Sequence, residues 1–105
     1  MSRHFFDCEI RCWVRVHLGY RSISQQCYLE VERIGPGADQ ELLYASGDVP
    51  KHRDNLDRFR KELKRLGLVV PESIFRAVEE DAARSVSTRY VQHFADGRML
   101  ELTKD

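Results

Sequence analysis

Residues 4–18 read HFFDCEIRCWVRVHL, and their side chains alternate between two kinds of surface. The even-numbered set is mostly small and apolar and consists of His4, Phe6, Cys8, Ile10, Cys12, Val14, Val16 and Leu18. The odd-numbered set is mostly polar or aromatic and consists of Phe5, Asp7, Glu9, Arg11, Trp13, Arg15 and His17. Because successive side chains of a strand point to opposite faces, this stretch predicts one long strand with a buried face and a mostly polar face.

A second alternating run follows at residues 23–32, after a short link that contains glycine. Two such runs around a short link predict an antiparallel hairpin. A four-residue loop would place Trp13 opposite Tyr28, whereas a two-residue loop would place Cys12 opposite Cys27. We favour the four-residue loop because it forms an aromatic pair and a charge pair, which stabilise neighbouring strands. Both registers leave the same side chains on the same faces.

The rest of the chain predicts two helices and three further strands. Apolar residues recur at helical spacing in two segments, and the dipeptide Asp96-Gly97 is typical of a tight hairpin turn. The predicted strands cover residues 41–46, 86–94 and 99–103. The first predicted helix has Pro50 in its first turn and stops at Gly67, and the second covers residues 71–85. We expect a glycine- and proline-rich turn at residues 34–40, and Ser46 or Asp48 as the cap of the first helix.

The predicted fold class is α+β, with elements in the order βββααββ. This order indicates a mainly antiparallel five-stranded sheet with two helices packed on one face. A chain of 105 residues suits one hydrophobic core, so we expect a single domain over residues 1–105. The apolar share of 42% and the charged share of 32% are typical of a soluble globular protein rather than a disordered one.

The charge balance and the cysteines narrow the functional classes. The chain has 17 Lys and Arg against 17 Asp and Glu, and this zero net charge argues against nucleic-acid binding by bulk charge. We find no run of 18 apolar residues and no secretion signal, so we expect no membrane association. Three cysteines without a CxxC motif indicate a reduced, cytoplasmic protein rather than a disulfide scaffold.

The chain carries no local motif for catalysis, cofactors or metals. It has no phosphate loop, no dinucleotide fingerprint, no GxSxG serine and no histidine pair at ligand spacing. Cys8 and Cys12 would lie roughly 13 Å apart along a strand, which is too far for one metal ion. We therefore predict no catalytic residue, no cofactor and no metal, although a site assembled only by folding would not show in such motifs.

The polar face of the first hairpin is the strongest candidate for a binding site. It carries Arg11, Trp13, Arg15 and Tyr28, and aromatic residues and arginines are enriched at interaction hot spots. The sequence therefore predicts a non-catalytic module that binds a protein partner or forms a homodimer through this face. A self-shielding cation–π ladder, or cover by the last hairpin, would be the structural explanation of the same residues.

Two alternative functions remain open. The same four residues, with the basic first helix, would suit single-stranded nucleic acid, because aromatic rings stack on bases and arginines contact phosphates. Acidic residues at the other end of the face, Asp7, Glu9, Glu30 and Glu32, disfavour this alternative. A small enzyme with a cysteine or histidine site assembled by the fold is the third possibility, and it would require a deep pocket with a perturbed titratable group.

Overall fold

The computed structural model describes residues 1–35, 41–86 and 88–102. Within them, the strands are β1 (Ser2–Glu9), β2 (Trp13–Arg21), β3 (Gln26–Arg33), β4 (Leu42–Ala45), β5 (Val49–Pro50), β6 (Arg89–His93) and β7 (Met99–Glu101). The helices are α1 (Arg53–Arg65) and α2 (Ser73–Arg84). The sheet order is β4-β3-β2-β1-β6-β7, and the short β5 also pairs with β3. Most of the turn predicted at residues 34–40 lies outside the described residues, as do the end of the last predicted strand and residue 87.

The predicted α+β class is confirmed. Both helices pack against one face of the sheet, and every strand pair is antiparallel except β1 with β6, which run parallel. The first strand comes from the start of the chain, yet it lies inside the sheet between β2 and β6. This placement brings β1 against the last hairpin and against α2.

The described sheet has seven strands rather than five, mainly because residues 4–18 form two strands and not one. A three-residue turn at residues 10–12 separates β1 from β2, and Glu9 pairs directly with Trp13. Paired residues of an antiparallel ladder share a face, so a turn with an odd number of residues leaves the odd–even alternation unbroken. The hydrophobic period therefore identified both faces correctly but could not reveal the turn.

The predicted register of the second hairpin is wrong. Tyr28 pairs with Gly19 and not with Trp13, because β2 continues through the glycine-containing segment as far as Arg21. Its loop does contain four residues, but it lies three positions further along the chain. Tyr20, which we placed in the link, is fully buried in the core, and this burial extends the strand.

The core lies between the sheet and the two helices. Its sheet side is formed by Phe6, Val14, Val16, Leu18, Tyr20, Cys27, Leu29 and Val31, and its helix side by Leu56, Phe59, Leu63, Leu68, Ile74, Phe75 and Val78. Helix α1 begins after His52, whose ring nitrogen accepts a hydrogen bond from the backbone N–H of Asp54. His52 thus takes the capping position that we predicted for Ser46 or Asp48. Neither described helix is long and apolar enough to cross a membrane.

Candidate functional site

The structure separates the four predicted binding residues. Trp13 begins β2 and is 50% exposed, whereas Tyr28 is only 2% exposed and lies opposite Gly19. Trp13 and Gly19 are six positions apart along β2, which corresponds to about 20 Å. Arg11 lies in the exposed turn between β1 and β2, and Arg15 lies between the two aromatic residues. These side chains therefore do not form one compact site.

Tyr28 is held by its own surroundings. Its ring covers Gly19 so closely that a Cβ atom at position 19 would lie 2.3 Å from the ring carbons. The Arg3 Nε atom donates a hydrogen bond of 3.0 Å to the Tyr28 hydroxyl. The guanidinium carbons of Arg3 and Arg21 lie 6.0 and 5.2 Å from the ring centroid. This arrangement matches the self-shielding cation–π explanation, and it leaves little of the Tyr28 ring for a partner.

Arg15 occupies the middle of the open sheet face, by which we mean the face opposite the helices. It binds Asp7 through two hydrogen bonds of 2.6 and 2.9 Å, and its guanidinium lies 4.9 Å from the Phe5 ring centroid. The hydrogen bonds that Arg15 donates to Asp7 raise the pKa of Arg15 above its ordinary value. Phe5 also stacks on Tyr90 at 5.1 Å, so an aromatic residue on the open face is buried without any helix above it.

Exposed apolar side chains remain at the margins of the open sheet face. On β7, Leu100 pairs with Gln92 and is 49% exposed, and Leu102 follows at 40%. Trp13 lies at one end of the face, beside a groove that runs past the end of β6 and is lined by Cys8 and Phe94 among others. The centre of the face is therefore closed by ion pairs, while its margins are apolar.

A second group of polar side chains lies on the other side of β1, buried beneath α2. His4 binds Asp81 on α2 at 2.6 Å and His93 on β6 at 2.8 Å. His93 in turn binds the hydroxyl of Ser73 at 3.0 Å. His4, His93 and Asp81 are almost completely buried, whereas Ser73, the first residue of α2, is partly buried. We call this chain of hydrogen bonds, Ser73–His93–His4–Asp81, the buried relay.

The buried relay has one consistent arrangement of protons when both histidines are neutral. Asp81 can only accept, so His4 donates to it from Nε2 and must accept at Nδ1. His93 then donates from Nε2 to His4, which leaves its own Nδ1 to accept the hydroxyl proton of Ser73. The arrangement points the hydroxyl proton of Ser73 at a nitrogen lone pair.

Charges around the buried relay set its protonation state. Burial, together with the neighbouring His4 and Arg89, lowers the pKa of His93 to about 4. Burial alone would raise the pKa of Asp81, but hydrogen bonds from His4 and Arg89 outweigh it and lower that pKa. Arg89 donates to Asp81 at 2.8 Å and also binds Glu101 on β7. At neutral pH the relay therefore combines an ionised Asp81 with a neutral His93.

Motif inspection missed the buried relay because its members lie far apart in sequence. The sequence predicted no catalytic residue because no histidine, His93 included, has a nucleophile or an orienting carboxylate near it in sequence, whereas the fold brings both to His93. A weaker signal was present, since His4 and His93 occupy inward positions of their strands and Asp81 interrupts the apolar stripe of α2. Polar residues on inward faces are the feature that would have pointed to this site.

The cysteines, the possible metal ligands and the cleft between the helices are weaker candidates for a functional site in the described residues. Burial raises the pKa of the thiols of Cys8 and Cys27, so neither is activated as a thiolate nucleophile. The described residues contain no group of three or more His, Cys, Asp or Glu side chains that could hold a metal ion. A cleft between α1 and α2 is lined by charged residues, but its central Arg60 is engaged by Asp57 and Glu72.

In the comparison with known proteins, no family model, curated protein or solved structure matches this chain.

Proposed function

We propose that the protein is an interaction module that forms a homodimer through the open sheet face. The observation that carries the proposal is the one-sided packing of the helices, which leaves Trp13 exposed at one end of the opposite face and Leu100 and Leu102 exposed along its β7 edge. Large apolar side chains that stay in water on one surface are characteristic of protein–protein contacts. Arg11, at the tip of the adjoining turn, lies where it would contact the rim of such an interface.

A second copy of this chain is the partner that best suits the open sheet face. Its charged side chains are Arg3, Arg15, Arg21, Asp7, Glu9, Glu30 and Glu32, so the two signs nearly balance. The repulsion between two such faces is small, because Arg15 pairs with Asp7 and Arg21 pairs with Asp48 within each copy. Six neighbouring strands of up to about eight residues give a face of roughly 600 Å², close to the ~800 Å² per partner of a standard interface.

The same charges make single-stranded nucleic acid the weaker candidate. Arg3, Arg15 and Arg21 are engaged by neighbours on the open sheet face, and acidic side chains accompany them. On the basic first helix, Arg60 and Arg65 form ion pairs as well. A phosphate backbone would have to break these contacts to bind.

The three unbridged cysteines support a reducing compartment such as the cytoplasm as the place of this function.

The test replaces two exposed apolar residues of the open sheet face. In Trp13→Ser/Leu100→Ser the interface loses its apolar anchors, so we expect the dimer dissociation constant to rise at least ~10-fold. The matched control is Ile23→Ser/Val69→Ser, which removes two exposed apolar side chains from a turn and an interhelical segment. Sedimentation equilibrium measures both variants beside the wild-type chain.

Three results would overturn the proposal. The wild-type chain could remain a monomer up to ~100 μM, a concentration at which even a weak specific dimer forms. The control pair could weaken the dimer as much as the face variant does. A salt-dependent complex with a single-stranded oligonucleotide, abolished by Trp13→Ser, would favour the alternative function instead.

A further inference from the structure

We propose that Ser73 is a nucleophile for acyl transfer from small esters and that His93 is its general base. In this proposal His4 and Asp81 are positioning residues, which act on the reaction through His93. The inference goes beyond the proposed homodimer and does not depend on it, because the buried relay lies on the opposite side of the sheet.

The geometry supplies each role that such a nucleophile requires. A hydroxyl is activated when a base accepts its proton and a third group orients the base. The Ser73 Oγ atom lies 3.0 Å from His93 Nδ1, whose lone pair faces it, and His4 Nδ1 lies 2.8 Å from His93 Nε2. The carboxylate of Asp81 ends the chain at 2.6 Å from His4. Four residues from three elements thus align one proton path.

The position of Ser73 suits the chemistry. It is the first residue of α2 and the most accessible member of the relay, but it lines neither cleft described above. A small ester would therefore reach Ser73 at the surface rather than in the deep pocket expected from the sequence, while His93 stays shielded from water. Within the described residues the Ser73 backbone N–H makes no hydrogen bond, whereas the next N–H, that of Ile74, binds Pro71. An N–H at a helix start is a suitable donor to the oxyanion that forms on an attacked carbonyl.

The step balances as an ordinary acyl transfer. The Ser73 oxygen forms a bond to the ester carbonyl carbon while its proton moves to His93 Nδ1. The tetrahedral intermediate then expels the alcohol, which takes that proton, and water later releases the acyl group by the same path. Glu72, which adjoins Ser73, engages Arg60, so this cation is not free to bind an acidic group and uncharged esters with small acyl groups fit better than anionic ones.

The experiment uses the full chain and an alkyl fluorophosphonate, which reacts with activated serines. The Ser73 oxygen would bond to phosphorus and fluoride would leave, while His93 takes the proton. We expect Ser73 to be labelled about 100-fold faster than Ser24, an exposed serine in the loop between β2 and β3. Mass spectrometry of the digested chain locates the label, and Ser73→Ala should abolish it while Ser24→Ala leaves it unchanged.

The pH profile separates a working base from a merely structural network. An unassisted hydroxyl reacts roughly tenfold faster with each pH unit, because only its alkoxide is reactive. A hydroxyl served by His93, whose pKa is about 4, should instead react at a constant rate over neutral pH and more slowly in acid. In Asp81→Asn we expect labelling to slow at least ~10-fold, because the relay loses its charge.

The proposal fails if Ser73 is not labelled faster than Ser24 in the folded wild-type chain. It also fails if the rate of Ser73 labelling climbs steadily with pH. Neither measurement needs a variant, so the test stands even where Asp81→Asn does not fold. Hydrolysis of p-nitrophenyl acetate by the wild-type chain, lost in Ser73→Ala and retained in Ser24→Ala, would identify carboxylic esters as substrates.

Discussion

Strand β1 carries two polar networks on its two faces, and they differ in their access to water. On the helix side, His4 and its partner Asp81 are almost completely buried. On the open sheet face, Asp7 and Arg15 form bonds of similar length but keep between a fifth and a third of their side chains exposed. Hydrogen bonds of equal length therefore do not contribute equally to stability, because a buried charge cannot be solvated by water when its partner is removed.

The largest expected effect comes from breaking the buried network. Asp81→Ala would leave His4 without an acceptor and Arg89 without one of its two anions, so we expect the free energy of unfolding to fall by about 3–5 kcal/mol. Urea denaturation followed by circular dichroism measures this change. A loss below ~1 kcal/mol would mean that water reaches the site and that the two faces of β1 are equivalent.

Acid should weaken the helix side of β1 next. The pKa of His93 is about 4 in the folded chain, compared with an ordinary value of 6.5, so the unfolded chain binds a proton first as the pH falls. The free energy of unfolding should therefore decrease by ~3 kcal/mol between about pH 6.5 and pH 4. Asp81, whose pKa is lowered too, adds a loss of the same sign at lower pH.

A pH series of urea denaturations measures this dependence. His93→Gln removes the titrating ring, and its unfolding free energy should change less over the same interval. The prediction is contradicted if the wild-type chain and the variant have the same slope.

A smaller effect is expected where Tyr28 covers Gly19 on the open sheet face. Gly19→Ala would force the ring away from the backbone and from Arg3, at a cost of about 1–3 kcal/mol. Thermal unfolding measures the cost. In a Tyr28→Ala background the same substitution should cost much less, and strict additivity of the two changes would show that the ring does not cause the penalty.

The smallest effect should come from the ion pair at the centre of the open sheet face. Asp7→Ala is expected to lower the free energy of unfolding by less than ~1 kcal/mol, because water and salt screen the pair. Denaturation at low and high ionic strength checks this, since the difference between the variant and the wild-type chain should shrink as salt is added. A loss as large as that of Asp81→Ala would remove the contrast between the two faces.

The sequence predicted the faces of the sheet better than its connections. Alternation along residues 4–18 placed His4, Val14 and Val16 on the buried side, where they lie. The three-residue turn after Glu9 preserved that alternation and was therefore invisible, and Tyr20 was assigned to a link although its burial extends β2. The two-residue hydrophobic alternation of a strand indicates which side of the sheet a residue faces. The positions of the turns depend on tertiary contacts, which this alternation does not contain.

For the candidate sites too, the sequence predicted the face of a residue but not its neighbours on other strands. Trp13 was expected on the open sheet face and is exposed there, but the wrong register had placed Tyr28 beside it. The buried relay depends on the parallel pairing of β1 with β6, which joins His4 to a residue 89 positions later. No local pattern specifies a pairing over that distance, so motif inspection could not bring these residues together.

The interior position of β1 has a consequence for how the chain is made. A ribosome releases β1 before the other strands of this sheet. As they emerge, β2 can fold back onto one edge of β1, and β3 can then add to β2. The other edge of β1 stays open until residues 89–93 have been synthesised, since β6 is the strand that pairs there among the described residues. β1 is therefore synthesised before the other strands of the sheet but is completed only after β6, and a nascent chain that stalls before β6 exposes an unfinished edge on which other chains can add.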